Sequence, residues 1–256
     1  MKPRVSAMVV NGFREARRNR VTVVVFAFAA LLLLSSSTIA SSAIVTLDRV
    51  LVDVALGTAS LLLVALAVYL SCGALNQEIQ RRTIFIIMSK PISRSTFLLA
   101  RVGAILLTLA VLEMLMVLLF GVEVVLFRAR FQPAQFVAFA MLFLELGVIV
   151  SFGVLMSTFS GPIVSAVVVA GLYFAGHQSR DIYLRAGKSA SAAIRGLGRT
   201  VYYVLPNLER LDYKPHAAYG LAVSASEVVR SAAYGLAYAT VVLVIATVVF
   251  GRRDFK

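Results

Sequence analysis

The residues of this chain that could do chemistry are few, and two of them sit in unusual places. Glu113 lies inside the apolar run from Val102 to Phe127, and Glu145 inside the run from Pro133 to Thr158. An ionised side chain in the middle of a membrane span costs at least about 2.5–3.5 kcal/mol on insertion scales, so each position demands a reason. No Lys or Arg is close in sequence to either carboxylate, and each is therefore expected to carry a proton or to hydrogen-bond across helices. One reading is a polar lining for a substrate path or a subunit interface; the other is a structural hydrogen bond between neighbouring helices. Glu123, near the end of its run, is expected to snorkel to the interface.

The remaining chemistry is sparse. His177 and His216 are the only histidines, both expected at or beyond the outer boundary, and without a carboxylate-rich motif they predict no metal site. Cys72 is the only cysteine, which excludes an intramolecular disulfide and a thiolate cluster; at the end of an apolar run it reads as a small packing residue. No phosphate-binding Gly-rich loop, HExxH motif or nucleophile elbow is present, and no acid–base pair faces water. The chain is predicted to have no catalytic residues and no ATPase or hydrolase activity of its own.

The elements that carry these residues follow from composition. Hydrophobic residues make up 60% of the 256 positions and charged residues only 14%, and the mean hydropathy is +0.91. A soluble domain carries roughly 25% charged residues, so this is a polytopic, all-α membrane protein. Its net charge of +13 does not predict nucleic acid as a partner, because the cations cluster at the ends of apolar runs, where topology signals belong.

Residues 1–20 form an N-terminal region with Val5, Met8, Val9, Phe13 and Ala16 on one helical face and the cations mainly on the other, the pattern of an interfacial amphipathic helix. Residues 21–256 are read as a transmembrane domain of six helices: Val21–Ala40, about Val54–Leu75, Val102–Phe127, Pro133–Thr158, Ile163–Gly176 and Ser231–Phe250. A short connection, Ile44 to Asp53, joins the first two. The first span fits the ~30 Å hydrocarbon core. Gly147, Ser151 and Gly153 permit close packing on the fourth. Residues 178–229 form the one long hydrophilic region, expected outside the membrane, with surface helices in Ala186–Leu205 along the stripe Ile194, Leu197, Val201 and Val204 and a turn at Leu205–Leu208.

The connection over residues 76–97 is the most distinctive stretch. From Gln77 to Arg101 it holds five cations (Arg81, Arg82, Lys90, Arg94, Arg101) against one acid, Glu78, around an apolar patch from Ile84 to Met88. Pro91 pushes the residue before it out of the α region. This predicts a short helix along the membrane face, a turn, and re-entry at about Phe97. Six cations precede the first span and one, Arg49, follows it, so the positive-inside rule puts both termini and this connection in the cytoplasm. The full count, 14 cations inside and 11 outside, gives a modest bias, and the first span and the Arg252-Arg253 tail decide it.

Four segments together resemble the permeases of ATP-binding-cassette (ABC) transporters of the type-two exporter class. They are Asn11 to Arg20, Glu78 to Thr83 followed by Ser89 to Arg94, Leu205 to Asp212, and Phe250 to Phe255. The likeness covers essentially the whole chain and rests on the order and spacing of these segments.

The resemblance implies a membrane subunit in a bacterial plasma membrane, paired with a second permease and with separate cytoplasmic ABC ATPase subunits. ATP and Mg would be bound by those partners, with no cofactor in this chain. Family members seat the connection after the second span in a groove of the ATPase as a coupling helix. Carried over, that role falls on Gln77 to Met88, with Glu78, Arg81, Arg82 and Thr83 as contacts and Lys90, Pro91 and Arg94 shaping the return into the membrane. The family's outer gate helices fall on Ile182 to Leu208. The strongly basic outer loop departs from the family pattern and leaves open an anionic or lipidic substrate, or simple headgroup contact. Two rivals share the hydropathy: a non-transporter assembly factor or channel, and an intramembrane enzyme using Glu113 or Glu145.

Overall fold

The computed structural model describes residues 9–10, 22–40, 47–80, 93–189 and 191–252. Among them regular structure is helical throughout: α1 Thr22–Ala40, α2 Leu47–Gln80, α3 Arg94–Leu126, α4 Pro133–Ser157, α5 Pro162–His177, α6 Ser179–Gly187, α7 Ala192–Val204, a 3₁₀ turn Leu208–Leu211, α8 Lys214–Tyr219 and α9 Ala225–Arg252.

Local chemistry sets the boundaries. Ser93, in extended conformation, caps α3 by accepting a hydrogen bond from Thr96 N at 3.2 Å, which satisfies one of the orphan donors of the first turn. Pro133 and Pro162 open α4 and α5, where the missing N–H costs nothing. Gln132 and Gln135 add a reciprocal side-chain-to-backbone box at the start of α4. α8 ends at Gly220 with φ +63, a left-handed conformation that glycine adopts without a Cβ penalty.

α2 is longer than the hydropathy predicts. The expected connection from Ile44 to Asp53 is helical from Leu47, with Asp48 in the first turn, where a carboxylate complements the helix dipole. At the other end α2 continues unbroken through Gln80, so the first residues assigned to a separate coupling helix extend the second span.

α4 is the hub, packed against α2, α3, α5, α8 and α9. It approaches α2 closely at Gly153, where a Cβ would overlap the Ser71 hydroxyl and come within 2.6 Å of Ser71 Cβ. The other small residues of that run do less: nothing lies within 4 Å of a Cβ at Gly147, and Ser151 Oγ bonds back to Gly147 O at 2.7 Å. Cys72, beside this contact, is buried as a packing residue.

Four of the described helices are long and apolar enough to cross a membrane, namely Asp48–Leu75, Arg94–Leu126, Pro133–Ser157 and Ala225–Arg252; Val25–Leu34 and Pro162–His177 are shorter apolar helices. The exposed faces of α5 (Ile163, Val167, Phe174) and α9 (Leu236, Val241, Val244) are apolar. Against lipid tails such faces carry no penalty, so packing and hydrogen bonds hold the bundle together.

The long hydrophilic region is only partly a surface feature. α6 and α7 form a hairpin so close at Gly198 that a Cβ there would overlap Ala186 Cβ. Ile194, Leu197 and Val204 of the expected stripe point outward. The stretch that follows corrects the reading of a solvated loop: Leu208, Leu211, Tyr213, Ala217 and Ala218 are buried, and α8 packs against α2 and α4. These apolar residues recur at irregular steps of one to four, a signal masked in sequence by the charges between.

Candidate functional site

That inward-folded stretch meets the bundle at a polar cluster. Glu145, on the face of α4 turned toward α5, is 1% exposed, and its Oε1 lies 2.8 Å from Nε2 of His177 at the end of α5. The imidazole is 18% exposed, and the tautomer decides which of the two atoms donates. Tyr173, one helical turn before His177, sets its ring edge-on to the imidazole at a centroid distance of 4.7 Å, which fixes the plane of the imidazole. The Tyr173 hydroxyl lies near Ser60 on α2 and in the electrostatic field of Glu145, Lys214 and Asp212.

Ser60 joins the two halves of the cluster. Lys214 Nζ, at the start of α8, donates to Ser60 Oγ at 3.2 Å and lies 3.5 Å from Asp212 Oδ1. The same Asp212 oxygen accepts from Lys214 N at 3.2 Å, at the first residue of the short helix. The cluster thus gathers α2, α4, α5 and the α8 segment around two acids, one lysine and one imidazole. Of these groups only Glu145 is fully enclosed; Asp212 and Lys214 are partly exposed.

A second set of contacts holds the same segment to α9. Tyr234 OH accepts from Asn207 N at 2.8 Å, Tyr238 OH donates to Val204 O at 2.7 Å, and Tyr213 OH shares a hydrogen bond with Ser231 Oγ at 3.1 Å. The Arg210 guanidinium stands over the Tyr234 ring at 5.1 Å, within cation–π range. The region from Val204 to Lys214 is therefore clamped on one side by α9 and on the other by α2.

Of the intramembrane acids, Glu145 has found the cross-helix partner that one of the two readings requires. His177 is the last residue of α5, the end read as the outer boundary, and there its ring packs onto α4. Glu113 is 6% exposed, and its Oε1 has no hydrogen-bond partner among the described residues. Glu123 does not snorkel; at 3% exposed it sits on the inward face of α3, because the helix turns residues 113, 116, 120 and 123 to one side. No group of three or more His, Cys, Asp or Glu among the described residues is placed to hold a metal.

The connection between α2 and α3 is seen at its edges. Glu78 belongs to the last turn of α2; Arg81, Arg82, Thr83, Lys90 and Pro91 lie outside the described residues. Arg94 Nη1 donates to Gly251 O at 3.1 Å, and the rings of Phe97 and Phe250 stack with centroids 6.3 Å apart. The start of α3 and the end of α9 are thus one corner of the bundle.

Sequence reasoning missed Ser60, Tyr173, Asp212 and Lys214. Tyr173 and His177 share one helical face by their four-residue spacing, which would have marked that face as polar. The other three meet only through the infolding of the α8 segment.

The architecture and the cluster define a class: a polytopic helical membrane protein whose buried polar groups tie helices together and offer no water-facing catalytic set among the described residues. Within that class the chain belongs to the ABC-2 family of transporter proteins, whose family model matches residues 7–255. No curated protein matches the chain. The protein is accordingly a membrane component of an ABC transporter, a transport subunit and not itself a catalyst.

Proposed function

We propose that the protein is the permease subunit of an ABC exporter, driven by ATP hydrolysis, with Mg, in a separate cytoplasmic ATPase subunit. The observation that carries this reading is the corner made by Arg94–Gly251 and Phe97–Phe250. The connection over residues 76–97 delivers its exit onto α9, and α9 holds the Val204–Lys214 segment at its opposite end. A push on the connection would tilt α3 and α9 as rigid bodies and pull on the segment at the far end. Such a rigid-body transition needs two stiff packed elements and a joint.

In this reading α1 and α5 complete six crossings, both termini face the cytoplasm of a bacterium, and a second permease closes the path. Glu78, Arg81, Arg82 and Thr83 would contact the ATPase, while Lys90, Pro91 and Arg94 shape the return. The α6–α7 hairpin would stand at the outer mouth. The α2–α3 connection then carries no chemistry of its own and acts as a lever seat.

The test is reconstitution with an ABC ATPase subunit. Charge reversal of Arg81 and Arg82 to Glu lowers ATP turnover to the level of the ATPase alone while membrane insertion is retained. Turnover equal to that of the unaltered permease refutes the coupling role.

A further inference from the structure

Residues of α3 and α4 near the Phe127–Gln132 connection line a groove of about 510 Å³. This is well inside the ~300–1,000 Å³ range of small-ligand sites. Its floor is Phe120 and Phe139, whose rings lie 5.8 Å apart, and its end wall is the stacked pair Phe131 and Phe136. Val117 and Val125 line the sides. The one polar side chain along it, Gln135, turns its groups to the backbone: Nε2 donates to Arg130 O at 3.2 Å, and Oε1 accepts from Gln132 N at 3.4 Å. The groove is therefore dry by construction, as an apolar cavity is when no polar group is left to hold water.

Two features distinguish it from the ordinary surface between membrane helices. Gly121 opens into it, and nothing lies within 4 Å of a Cβ there, so the absence of a side chain keeps space that the neighbouring helix does not use. Glycine inside a helix costs about 1 kcal/mol relative to alanine, and no close helix contact at Gly121 offsets that. The connection that leads to the groove's Phe131 wall is also charged with one sign. Arg128 and Arg130 are exposed on the connection and have no ion-pair partner among the described residues. Glu123, the nearest acid in sequence, is turned to the inward face of α3.

We propose that this groove is a phospholipid site: it takes an acyl chain along Val117 to Phe139, with the phosphate of an anionic headgroup set against Arg128 and Arg130. The occupant follows from the chemistry of the two ends. An aromatic-floored slot flanked by membrane-spanning helices takes hydrocarbon, and two unpaired guanidiniums on the connection that leads to it take a phosphate, for which arginine has a matched geometry. An apolar peptide would satisfy the slot and leave the arginines bare. A free phosphate would satisfy the arginines and leave the slot empty.

The test uses the full chain in vesicles of phosphatidylethanolamine and phosphatidylglycerol doped with a diazirine-acyl phosphatidylglycerol, with crosslinks mapped by peptide mass spectrometry. Labelling concentrates on residues 117–126 and 131–139, above that on the exposed α9 face at Leu236 and Val244. Gly121→Phe, whose Cβ meets nothing within 4 Å, puts a ring into the slot and removes this labelling while the α9 labelling is unchanged. In the folded Arg128→Gln/Arg130→Gln variant the groove stays labelled, but preference for phosphatidylglycerol over a phosphatidylethanolamine probe falls about tenfold or more, from the roughly 1 kcal/mol that each basic residue near the headgroups contributes. Equal labelling of both faces, or labelling that survives Gly121→Phe, overturns the site. Unchanged headgroup preference in the arginine variant overturns the headgroup half of it.

Discussion

Glu145 of α4 and His177 of α5 stand 32 positions apart in sequence and meet at 2.8 Å between carboxylate and imidazole. The pair fixes the end of α5 against the hub helix, and through Tyr173 and Ser60 it adjoins the Lys214 tether of the α8 segment.

Removal of the imidazole leaves Glu145 buried without that partner. Helix–helix hydrogen bonds in membranes average about 0.6 kcal/mol and reach about 1.7, because the unfolded chain in lipid also finds partners. A carboxylate as enclosed as Glu145 belongs at the upper end. His177→Ala is therefore expected to destabilise the protein by about 1–2 kcal/mol, and Glu145→Gln, which keeps a hydrogen-bonding group, by less. A double-mutant cycle by denaturant titration in mixed micelles checks this; a coupling energy of zero would remove the pair from the account of the fold.

Lys214 holds α8 to α2 through Ser60. Lys214→Met loses that bond, and the α8 segment should open more often. Loss of about 1.4 kcal/mol of local stability raises an opening-limited rate tenfold. The reading is thiol labelling of a cysteine placed at Ala217, buried in the native protein. Equal labelling rates in the Lys214→Met and parent backgrounds would show that Ser60 does not restrain the segment.

The crossing of α2 and α4 is set by Gly153 and Ser71. Gly153→Val drives a branched side chain into Ser71 and is expected to cost about 1–3 kcal/mol by overpacking, seen as a lower midpoint in a size-exclusion thermostability assay. Gly147→Ala, where a Cβ meets nothing within 4 Å, serves as the neutral control. Ser71→Gly combined with Gly153→Ala should recover most of the loss, and failure to recover would locate the constraint elsewhere.

The proposed orientation has its own test. A cysteine at Ser93 and one at Ala222, both exposed, lie at opposite ends of the bundle. A membrane-impermeant maleimide added to intact cells labels Ala222→Cys and spares Ser93→Cys if the α2–α3 connection is cytoplasmic. The reverse pattern sinks the coupling proposal outright.

Much of the framework was legible because apolar runs and prolines announce themselves locally. Pro133 marks the start of α4 to the residue, the fifth span reads from Ile163, one residue after α5 begins, and of the two helices after Gln178 only α7 falls within the expected Ala186–Leu205 while α6 lies almost wholly before it. The candidate site was half legible. A glutamate in a span shows that a partner must exist, yet nothing local to Glu145 names His177, since the pairing depends on where α5 stops. Lys214 and Asp212 sit in a segment whose charge density reads as solvated, and only the burial of Leu208, Leu211 and Tyr213 between them reveals the infolding. Glu123 was misplaced because distance along the span was weighed and rotation about its axis was not.

At the crossing where Ser71 fills the space left by Gly153, neither helix can slide or roll without collision. α2 and α4 are bound to behave as a single keel running the depth of the bilayer. Whatever cargo this subunit handles, the travel falls to the parts hung on that keel: the slender α1, the outer rails of α3 and α9, and the paired helices beyond His177.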